Sequence, residues 1–284
     1  MICQKELSFK FEKLSPRNQK VYKIYSCPGC EIWHIHPRPT TEDLKKVHDE
    51  GYFAQRTSRG YDNYQGEKVR QSVVSTLEKN LKELGFYRFE QNLTWPRRAL
   101  EIGSAAGYFV EYLKERGWEI MGIDISSEMC QVAQERGLPV FCGDFIEITF
   151  RPASYDLIAM WATLEHWSDP RPCFDKVHYL LKTGGKFFIS TTNTGFWARI
   201  YGKNWRYLNV PEHVFYFNRR SLSLLAKQFG FQITNSFTYG SGFTTTARMS
   251  PLKKVLKFIA DRLAKIGHSG DMIVVEFTKT PERD

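Results

Sequence analysis

The feature that most constrains the fold of this chain is a regular alternation that begins near residue 99. Short apolar runs alternate there with segments in which apolar residues recur at helical spacing. The runs lie at 99–102, 120–123, 140–142, 156–161 and 186–190, and the helical segments at 108–116, 128–136 and 173–181. This rhythm predicts a parallel sheet covered by helices on both faces, which is a doubly wound α/β fold.

Composition narrows the class of protein. A chain of 284 residues with 42% apolar and 25% charged residues is typical of globular proteins, and it excludes disordered, collagen-like and coiled-coil classes. The sequence contains no run of about 18 apolar residues, so no membrane span is expected. Six cysteines, of which only two form a close pair, predict reduced thiols and a cytoplasmic location.

Charge is distributed unevenly along the chain, whose formal net charge is +9. Residues 96–195 contain 10 basic and 13 acidic side chains, whereas residues 196–284 contain 14 basic and 6 acidic ones. An anionic partner is therefore expected to meet the ends of the chain, chiefly the C-terminal third. Because a nucleic-acid-binding domain is usually basic as a whole, the acidic middle argues against nucleic acid.

A glycine-containing turn follows the first strand of the pattern. Gly103 lets the backbone leave the strand tightly, and Gly107 permits close approach of a ligand or of a helix to a strand. The dinucleotide pattern G-x-G-x-x-G is not met, since Ala105 and Tyr108 occupy its second and third glycine positions. A nicotinamide-dependent oxidoreductase is therefore disfavoured.

Acidic residues follow the next two predicted strands. Asp124, at the end of the second strand, can accept hydrogen bonds from both hydroxyls of a ribose. After the third strand, Asp144 can accept from an adenine amino group while Phe145 packs on the ring. The alternatives are a solvated loop acid at Asp124, a turn or helix cap at Asp144 and core packing at Phe145. The functional interpretation describes a nucleoside ligand without a diphosphate.

These landmarks, in this order and at this spacing, resemble those of class I S-adenosylmethionine-dependent methyltransferases. The similarity covers residues 98–231 and the closing strand at 272–278. It implies a seven-stranded, mostly parallel Rossmann-like sheet whose last two strands form an antiparallel edge, with a small N-terminal appendage. It also implies S-adenosyl-L-methionine as the cofactor, bound by Glu101, Gly103, Ser104, Gly107, Asp124, Ile125, Asp144, Phe145 and Trp161. For Glu101, the alternative is that it neutralises nearby helix dipoles.

The chain is expected to have three parts. Residues 1–50 form a cysteine-containing, knuckle-like segment of turns, residues 51–95 a helical cover over the cofactor mouth, and residues 96–284 the methyltransferase domain. Within that domain we expect an acceptor-side insertion at 192–219 and a basic helix at 251–266.

Two histidines lie beyond the cofactor strands, where open α/β sheets bind ligands. His166 follows the fourth strand, and His213 lies in Pro-Glu-His-Val-Phe-Tyr-Phe, which is similar to a segment of the branch that includes ubiquinone-pathway O-methyltransferases. Methyl transfer to oxygen or nitrogen releases a proton, so either imidazole is a candidate general base. The alternative for each is a positioning role. Aromatic side chains around His213 predict either an apolar acceptor pocket or ordinary packing.

Cys27 and Cys30 form a C-x-x-C pair that resembles the N-terminal zinc knuckle of some relatives. Two such pairs hold the metal there, whereas only Cys3 remains of the first pair here. A closed tetrahedral zinc site needs a fourth ligand. Candidates for it are Glu6, His34 and His36. Zinc binding through Cys3, Cys27 and Cys30 and a metal-free knuckle are both left open.

Residues 251–266 predict an amphipathic basic helix. At about 100° per residue, its apolar side chains fall within one stripe roughly 100° wide, with lysines mostly opposite. Such a helix can contact an anionic membrane surface or recruit a lipid-linked acceptor. It can equally cover the edge of the sheet and turn a solvated face outward.

The expected activity is transfer of a methyl group from S-adenosyl-L-methionine to a small-molecule acceptor, with oxygen as the preferred acceptor atom in a metabolite, sugar or lipid-linked compound. The alternatives are a nucleic-acid or protein methyltransferase and a non-catalytic S-adenosylmethionine-binding module. The fourth strand is followed by Trp161-Ala-Thr-Leu164 rather than an Asn/Asp-Pro-Pro-Tyr-type segment, which argues against nucleic acid.

Overall fold

The computed structural model describes residues 3, 5–40, 42–44, 53, 64–241 and 250–280. Within the helix at 251–266, the side chains of residues 251, 253–255, 258 and 266 lie outside this description. Parts of the knuckle predicted at 1–50 and of the cover predicted at 51–95 therefore also lie outside the described residues.

The described residues form two β-sheets. Their strands are β1 Ser8–Leu14, β2 Val21–Ser26, β3 Trp33–His36, β4 Arg98–Ile102, β5 Glu119–Asp124, β6 Val140–Cys142, β7 Tyr155–Trp161, β8 Leu181–Thr192, β9 Phe215–Tyr216, β10 Phe231–Tyr239 and β11 Met272–Lys279. The smaller sheet has the order β1-β2-β3-β9, and the larger sheet has the order β10-β11-β8-β7-β4-β5-β6.

Helices cover both faces of the larger sheet. They are α1 Glu67–Glu83, α2 Phe86–Gln91, α3 Tyr108–Glu115, α4 Ser127–Glu135, α5 Arg171–Leu180, α6 Phe196–Tyr201, α7 Arg219–Gln228 and α8 Pro251–Ile266, with 3-10 turns at Leu164–His166 and Gly202–Asn204. Among the residues described, no helix combines the length and the apolar character needed to cross a membrane.

The larger sheet has the predicted topology. Its central strand β4 pairs in parallel with β5 and β7, so that Leu100 lies opposite Met121 on one side and Ile158 on the other. At the far edge, β11 runs antiparallel between β8 and β10. The doubly wound seven-stranded fold with an antiparallel edge is therefore confirmed.

The core consists of two layers separated by the larger sheet. In β7, Ile158 and Met160 belong to the layer that contains α5 and α7, whereas Leu157 and Ala159 belong to the layer with α1 to α4. All four side chains are fully buried. Because side chains alternate between the faces of a strand, this apolar run identifies a strand that is covered on both sides.

The N-terminal appendage is a β-sheet rather than the predicted knuckle of turns alone. Strands β1, β2 and β3 are antiparallel neighbours, and β3 pairs with β9, which lies in the segment 192–219, the predicted acceptor-side insertion. Trp33 lies opposite Tyr216, and His34 lies opposite Phe215. The sequence does not reveal this pairing because β3 and β9 have only four and two residues, too few for a periodic signal. The appendage therefore holds the segment that carries His213.

Candidate active site

The turn after β4 is shaped by Gly103, whose φ is +75°. The backbone N–H groups of Gly103 and Ser104 donate to the carbonyl oxygen of Ile123 at 2.8 and 3.0 Å. A Cβ at position 103 would collide with the side chain of Thr163. Both the positive φ and the close approach require glycine, so the chain turns sharply at the carboxyl end of β4.

Gly107 begins α3 with a φ of +76°. A Cβ there would lie 2.8 Å from Leu138 Cδ1 and 3.3 Å from Ala133 Cβ. The sequence left two roles open for Gly107, contact with a ligand and close packing between elements of the chain. These distances support the packing role. Direct contact between Gly107 and a ligand stays a prediction.

Asp124 ends β5 and joins the glycine turn to the neighbouring loops. Its carboxylate accepts hydrogen bonds from the backbone N–H of Ala105 at 2.7 Å and of Ser126 at 2.8 Å. Its own carbonyl accepts from the N–H of Gly143, after β6, at 2.8 Å. Burial raises the pKa of Asp124, and the backbone hydrogen bonds oppose that shift. The acid and the glycine turn therefore form one hydrogen-bonded unit at the carboxyl edge of the sheet.

Three buried polar atoms near this unit have no hydrogen-bond partner within the described part of the chain. They are Glu101 Oε2, Ser104 Oγ and Trp161 Nε1. Glu101 and Trp161 lie near the carboxyl ends of adjacent strands. Burial, followed by the charge of Asp124, raises the pKa of Glu101 well above its usual value. Because an unpaired buried polar group costs free energy, this set points to a ligand that supplies the partners.

The loop after β6 gives less support to the predicted adenine contacts. Asp144 Oδ1 accepts from the backbone N–H two residues further on, at 2.9 Å, as in an Asx turn. Phe145 is buried, with its ring centroid 6.3 Å from that of Trp167 and 4.9 Å from Lys176 Nζ. These contacts support the turn and packing alternatives, so the adenine contacts stay predictions. Ile125, by contrast, is exposed.

His166 and His213 come together although 46 residues separate them in the chain. Their ring centroids are 4.8 Å apart and their planes meet at 89°. His166 Nδ1 lies 3.0 Å from the carbonyl oxygen of Glu212, and His213 Nδ1 lies 3.1 Å from that of Tyr207. A carbonyl can only accept, so we assign the proton of each neutral ring to Nδ1. Each Nε2 then carries the lone pair that a general base needs.

Glu165 is a residue of this site that the sequence alone does not single out. Its carboxylate accepts from the hydroxyl of Thr191, at the end of β8, at 2.7 Å. One carboxylate oxygen and one nitrogen from each of His166 and His213 lie within 4.8 Å of one another. Burial raises the pKa of Glu165 to about 7, although the Thr191 hydroxyl opposes the shift. The only sequence signal is its place before His166, because the fold alone brings Thr191 close.

Hydrogen bonds hold helix α1 and the residues just before it against α3, the helix that follows the glycine turn. The hydroxyl of Tyr108, at the start of α3, donates to the carbonyl oxygen of Tyr64 at 2.5 Å. Arg70 in α1 donates to the carboxylate of Glu111 in α3 at 3.0 Å. These bonds hold Tyr64 and α1 against α3, and the role of residues 51–95 as a cover over the cofactor mouth stays a prediction.

The three N-terminal cysteines form a second polar cluster. The sulfur atoms of Cys3, Cys27 and Cys30 lie within 4.8 Å of one another, with Cys3 and Cys27 at 2.8 Å. His34 lines the same cavity, and its buried Nε2 has no partner among the residues described. The other two candidates for a fourth ligand, Glu6 and His36, are exposed. Three thiols and one imidazole are a donor set that zinc accepts, but His34 offers no nitrogen within 4.8 Å of all three sulfur atoms.

Comparison with known proteins identifies similar sequences. The family described as a methyltransferase domain matches residues 66–236, which is more than half of the chain. The ubiquinone biosynthesis O-methyltransferase of Xylella fastidiosa is 34% identical over 107 residues, and that of Coxiella burnetii is 31% identical over 119 residues. The matched segments cover 34% and 39% of this chain, and 42% and 51% of those relatives. The match thus spans about half the length of these relatives or less.

Solved structures with the same fold are also found. An S-adenosylmethionine-dependent methyltransferase from Archaeoglobus fulgidus has a TM-score of 0.54 at 20% identity, with 81% of this chain and 97% of that chain covered. One from Thermotoga maritima has a TM-score of 0.51 at 21% identity, with coverage of 71% and 88%. At these identities the similarity concerns the fold.

Proposed function

The chain belongs to the methyltransferase domain family, and from this premise we propose that it transfers a methyl group from S-adenosyl-L-methionine to an oxygen atom of a small-molecule acceptor. The name of the matched relatives, ubiquinone biosynthesis O-methyltransferase, supports oxygen as the acceptor atom. The proposed acceptor is a metabolite, a sugar or a lipid-linked compound. A cytoplasmic location of the protein stays a prediction.

The observation that carries this proposal is the set of unpaired buried atoms around the glycine turn. A carboxylate oxygen at Glu101 and a hydroxyl at Ser104 suit an ammonium group, and the indole N–H of Trp161 suits a carboxylate or a hydroxyl. Asp124, at the next strand end, has the position expected for a ribose acid. The residues present therefore fit S-adenosyl-L-methionine. Of the predicted contacts with this cofactor, those with the adenine are the least supported.

When bound, S-adenosyl-L-methionine supplies an electrophilic methyl group on a sulfonium. The chain contributes alignment and exclusion of water, which are the main protein contributions to such a displacement. Asp124 fixes the turn that Gly103 makes, and the bond from Tyr108 to Tyr64 holds the cover beside it. We propose that the cover and the turn together exclude water from the cofactor side of the site.

The chain also contains side chains that can remove the proton that an oxygen acceptor releases. We assign the general base to Nε2 of His213, with His166 as the alternative. Each Nδ1 faces a backbone carbonyl, which orients the ring and keeps the lone pair at Nε2. Glu165 lies next to both rings and is a positioning residue that can also stabilise an imidazolium when ionised.

We also propose that Cys3, Cys27 and Cys30 bind zinc in the N-terminal appendage, with His34 as the candidate for the fourth ligand. The observation that supports this is the unpaired Nε2 of His34 in the cavity that the three sulfur atoms line. Zinc there would have a structural role, since closed sites of this kind stabilise small folds.

A transfer assay tests the proposed activity. The protein would be incubated with S-adenosyl-L-methionine carrying a labelled methyl group and, in separate reactions, with phenols and catechols, sugars, a lipid extract, RNA and protein. The proposal expects label in a small-molecule or lipid fraction. Label in RNA or protein alone, or tight cofactor binding without transfer to any acceptor, would contradict it.

A further inference from the structure

Helix α8 exposes its apolar stripe. Leu252, Leu256, Ile259 and Leu263 are 69%, 55%, 48% and 63% exposed. At about 100° per residue these four side chains span only about 60° of the helix circumference. A stripe of large aliphatic side chains on one side of a helix is normally buried in a core. Its exposure here indicates that it binds a partner.

The exposure does not result from a loose helix, because α8 contacts the sheet through another side. Ala264 is buried, and its carbonyl oxygen accepts from the hydroxyl of Thr238 in β10 at 2.9 Å. Lys265 Nζ lies 2.6 Å from the carboxylate of Glu83 at the end of α1. The protein thus holds α8 against the edge strand β10 and directs the aliphatic stripe away from it.

A second exposed apolar group lies at the same end of the sheet. Phe196 and Ile200, in α6, are each more than half exposed. The side chain of Asn193, just before α6, donates to the carbonyl oxygen of Gly270, just after α8, at 2.7 Å. This bond joins the segment before α6 to the segment after α8 at the carboxyl edge of the larger sheet, where the candidate active site also lies.

Charge favours one kind of partner for this surface. The segment 196–284 has 14 basic and 6 acidic side chains. On α8, the exposed Arg262 lies about 80° from Leu252, at one edge of the stripe, whereas Lys265 lies on the side that contacts Glu83. Two copies that met through a segment with this excess of basic side chains would repel each other, which disfavours self-association. Aliphatic side chains beside cations instead match the acyl region and the headgroups of an anionic bilayer.

We propose that α8, through Leu252, Leu256, Ile259 and Leu263, binds the surface of an anionic lipid bilayer. The helix lies in the interface with its aliphatic side chains among the acyl chains, and it does not span the membrane. This inference concerns where the protein acts, and it does not depend on the proposed methyl transfer.

Vesicle co-sedimentation of the full chain tests the inference. Vesicles of phosphatidylcholine mixed equally with phosphatidylglycerol would be compared with vesicles of phosphatidylcholine alone. The variant carries Leu256→Ser, Ile259→Ser and Leu263→Ser, and the control carries Phe9→Ser, Leu14→Ser and Val21→Ser, at positions that are also half exposed but lie on β1 and β2. Circular dichroism would verify that both variants are folded.

The inference expects wild type and control to bind the anionic vesicles, and binding to fall as salt is added. The affinity of the α8 variant for the anionic vesicles should be lower by about tenfold or more. Absence of wild-type binding, or equal binding by the α8 variant, would overturn the inference. A lipid-free dimer that the α8 variant converts to a monomer would overturn it as well, since a second copy would then cover the stripe.

Discussion

The imidazole ring of His166 meets that of His213 edge to face, with centroids 4.8 Å apart and planes at 89°. The first ring comes from the turn after β7 and the second from the acceptor-side insertion. Because β9, which begins two residues after His213, pairs with β3, the appendage helps to hold the second ring against the first. Both rings have Nδ1 on a backbone carbonyl, so the lone pair of each neutral ring is at Nε2.

Replacing His213 by asparagine separates a base from a positioning residue. The asparagine amide can still donate to the carbonyl of Tyr207, but it has no basic nitrogen. We expect His213→Asn to lower kcat by about 10²- to 10⁴-fold with a smaller effect on KM. The control is His178→Asn, on α5, which should leave turnover unchanged. Normal turnover of His213→Asn would show that the residue is not the base.

Glu165 should make stability depend on pH in a specific direction. Its pKa is about 7 when folded and 4.5 in its ordinary state, so between these values the folded chain binds more protons than the unfolded chain. Stability contributed by this group is then lost as pH rises through that window, by at most about 3 kcal/mol. In Glu165→Gln the side chain is neutral at every pH, so the stability of this variant should not show this loss as pH rises.

Urea unfolding at several pH values would check this prediction. The free energy of unfolding of Glu165→Gln, minus that of wild type, should increase from pH 5 to pH 8. Because His166 and His213 lie close to Glu165, their titration is coupled to this carboxylate and forms part of the measured difference. A difference that is constant with pH would contradict the shifted pKa.

Gly103 should tolerate alanine much less than Gly184, a second glycine with positive φ. Gly184 has a φ of +79° and no atom within 4 Å of a new Cβ, whereas a Cβ at 103 collides with Thr163. We expect Gly184→Ala to cost about 1 kcal/mol of stability from backbone strain alone. Gly103→Ala should cost about 2 kcal/mol or more and also weaken binding of S-adenosyl-L-methionine.

Chemical denaturation and calorimetry would give both quantities for the two variants. Equal losses of stability, together with unchanged cofactor affinity in Gly103→Ala, would mean that the turn after β4 does not shape the cofactor site.

Metal analysis tests the cysteine cluster. Purified protein should contain one zinc ion per chain, and Cys27→Ser should lose it. Cys142→Ser is the matched control, because Cys142 is exposed and outside the cluster. Absence of zinc from wild type purified without chelator would identify the appendage as a metal-free knuckle.

The strands of the larger sheet could be predicted from sequence because they are buried on both faces. A continuous apolar run such as that of β7 has few alternatives when glycine turns and helical segments surround it. The predicted strand at 140–142 matches β6 at both ends, and the predicted helix at 251–266 matches α8. Gly103 and Asp124 could be located for the same reason, since each ends a readily identified strand.

Other features depend on contacts between distant segments. The pairing of His34 with Phe215 joins residues far apart in the chain, and neither strand is long enough to be recognised. The raised pKa of Glu165 depends on burial and on Thr191, which only the folded sheet provides. The apolar periodicity of α8 predicts an amphipathic helix, but the direction of its stripe is set by the packing of Ala264 on β10.

Calorimetric titration with S-adenosyl-L-methionine tests the central claim most directly. We expect one cofactor bound per chain, competition by S-adenosylhomocysteine, and no binding of NAD. In Asp124→Asn an amide replaces the carboxylate that accepts from Ala105 and Ser126, so affinity should fall by about tenfold or more. Absence of S-adenosyl-L-methionine binding to wild type, or equal affinity in Asp124→Asn, would contradict the account.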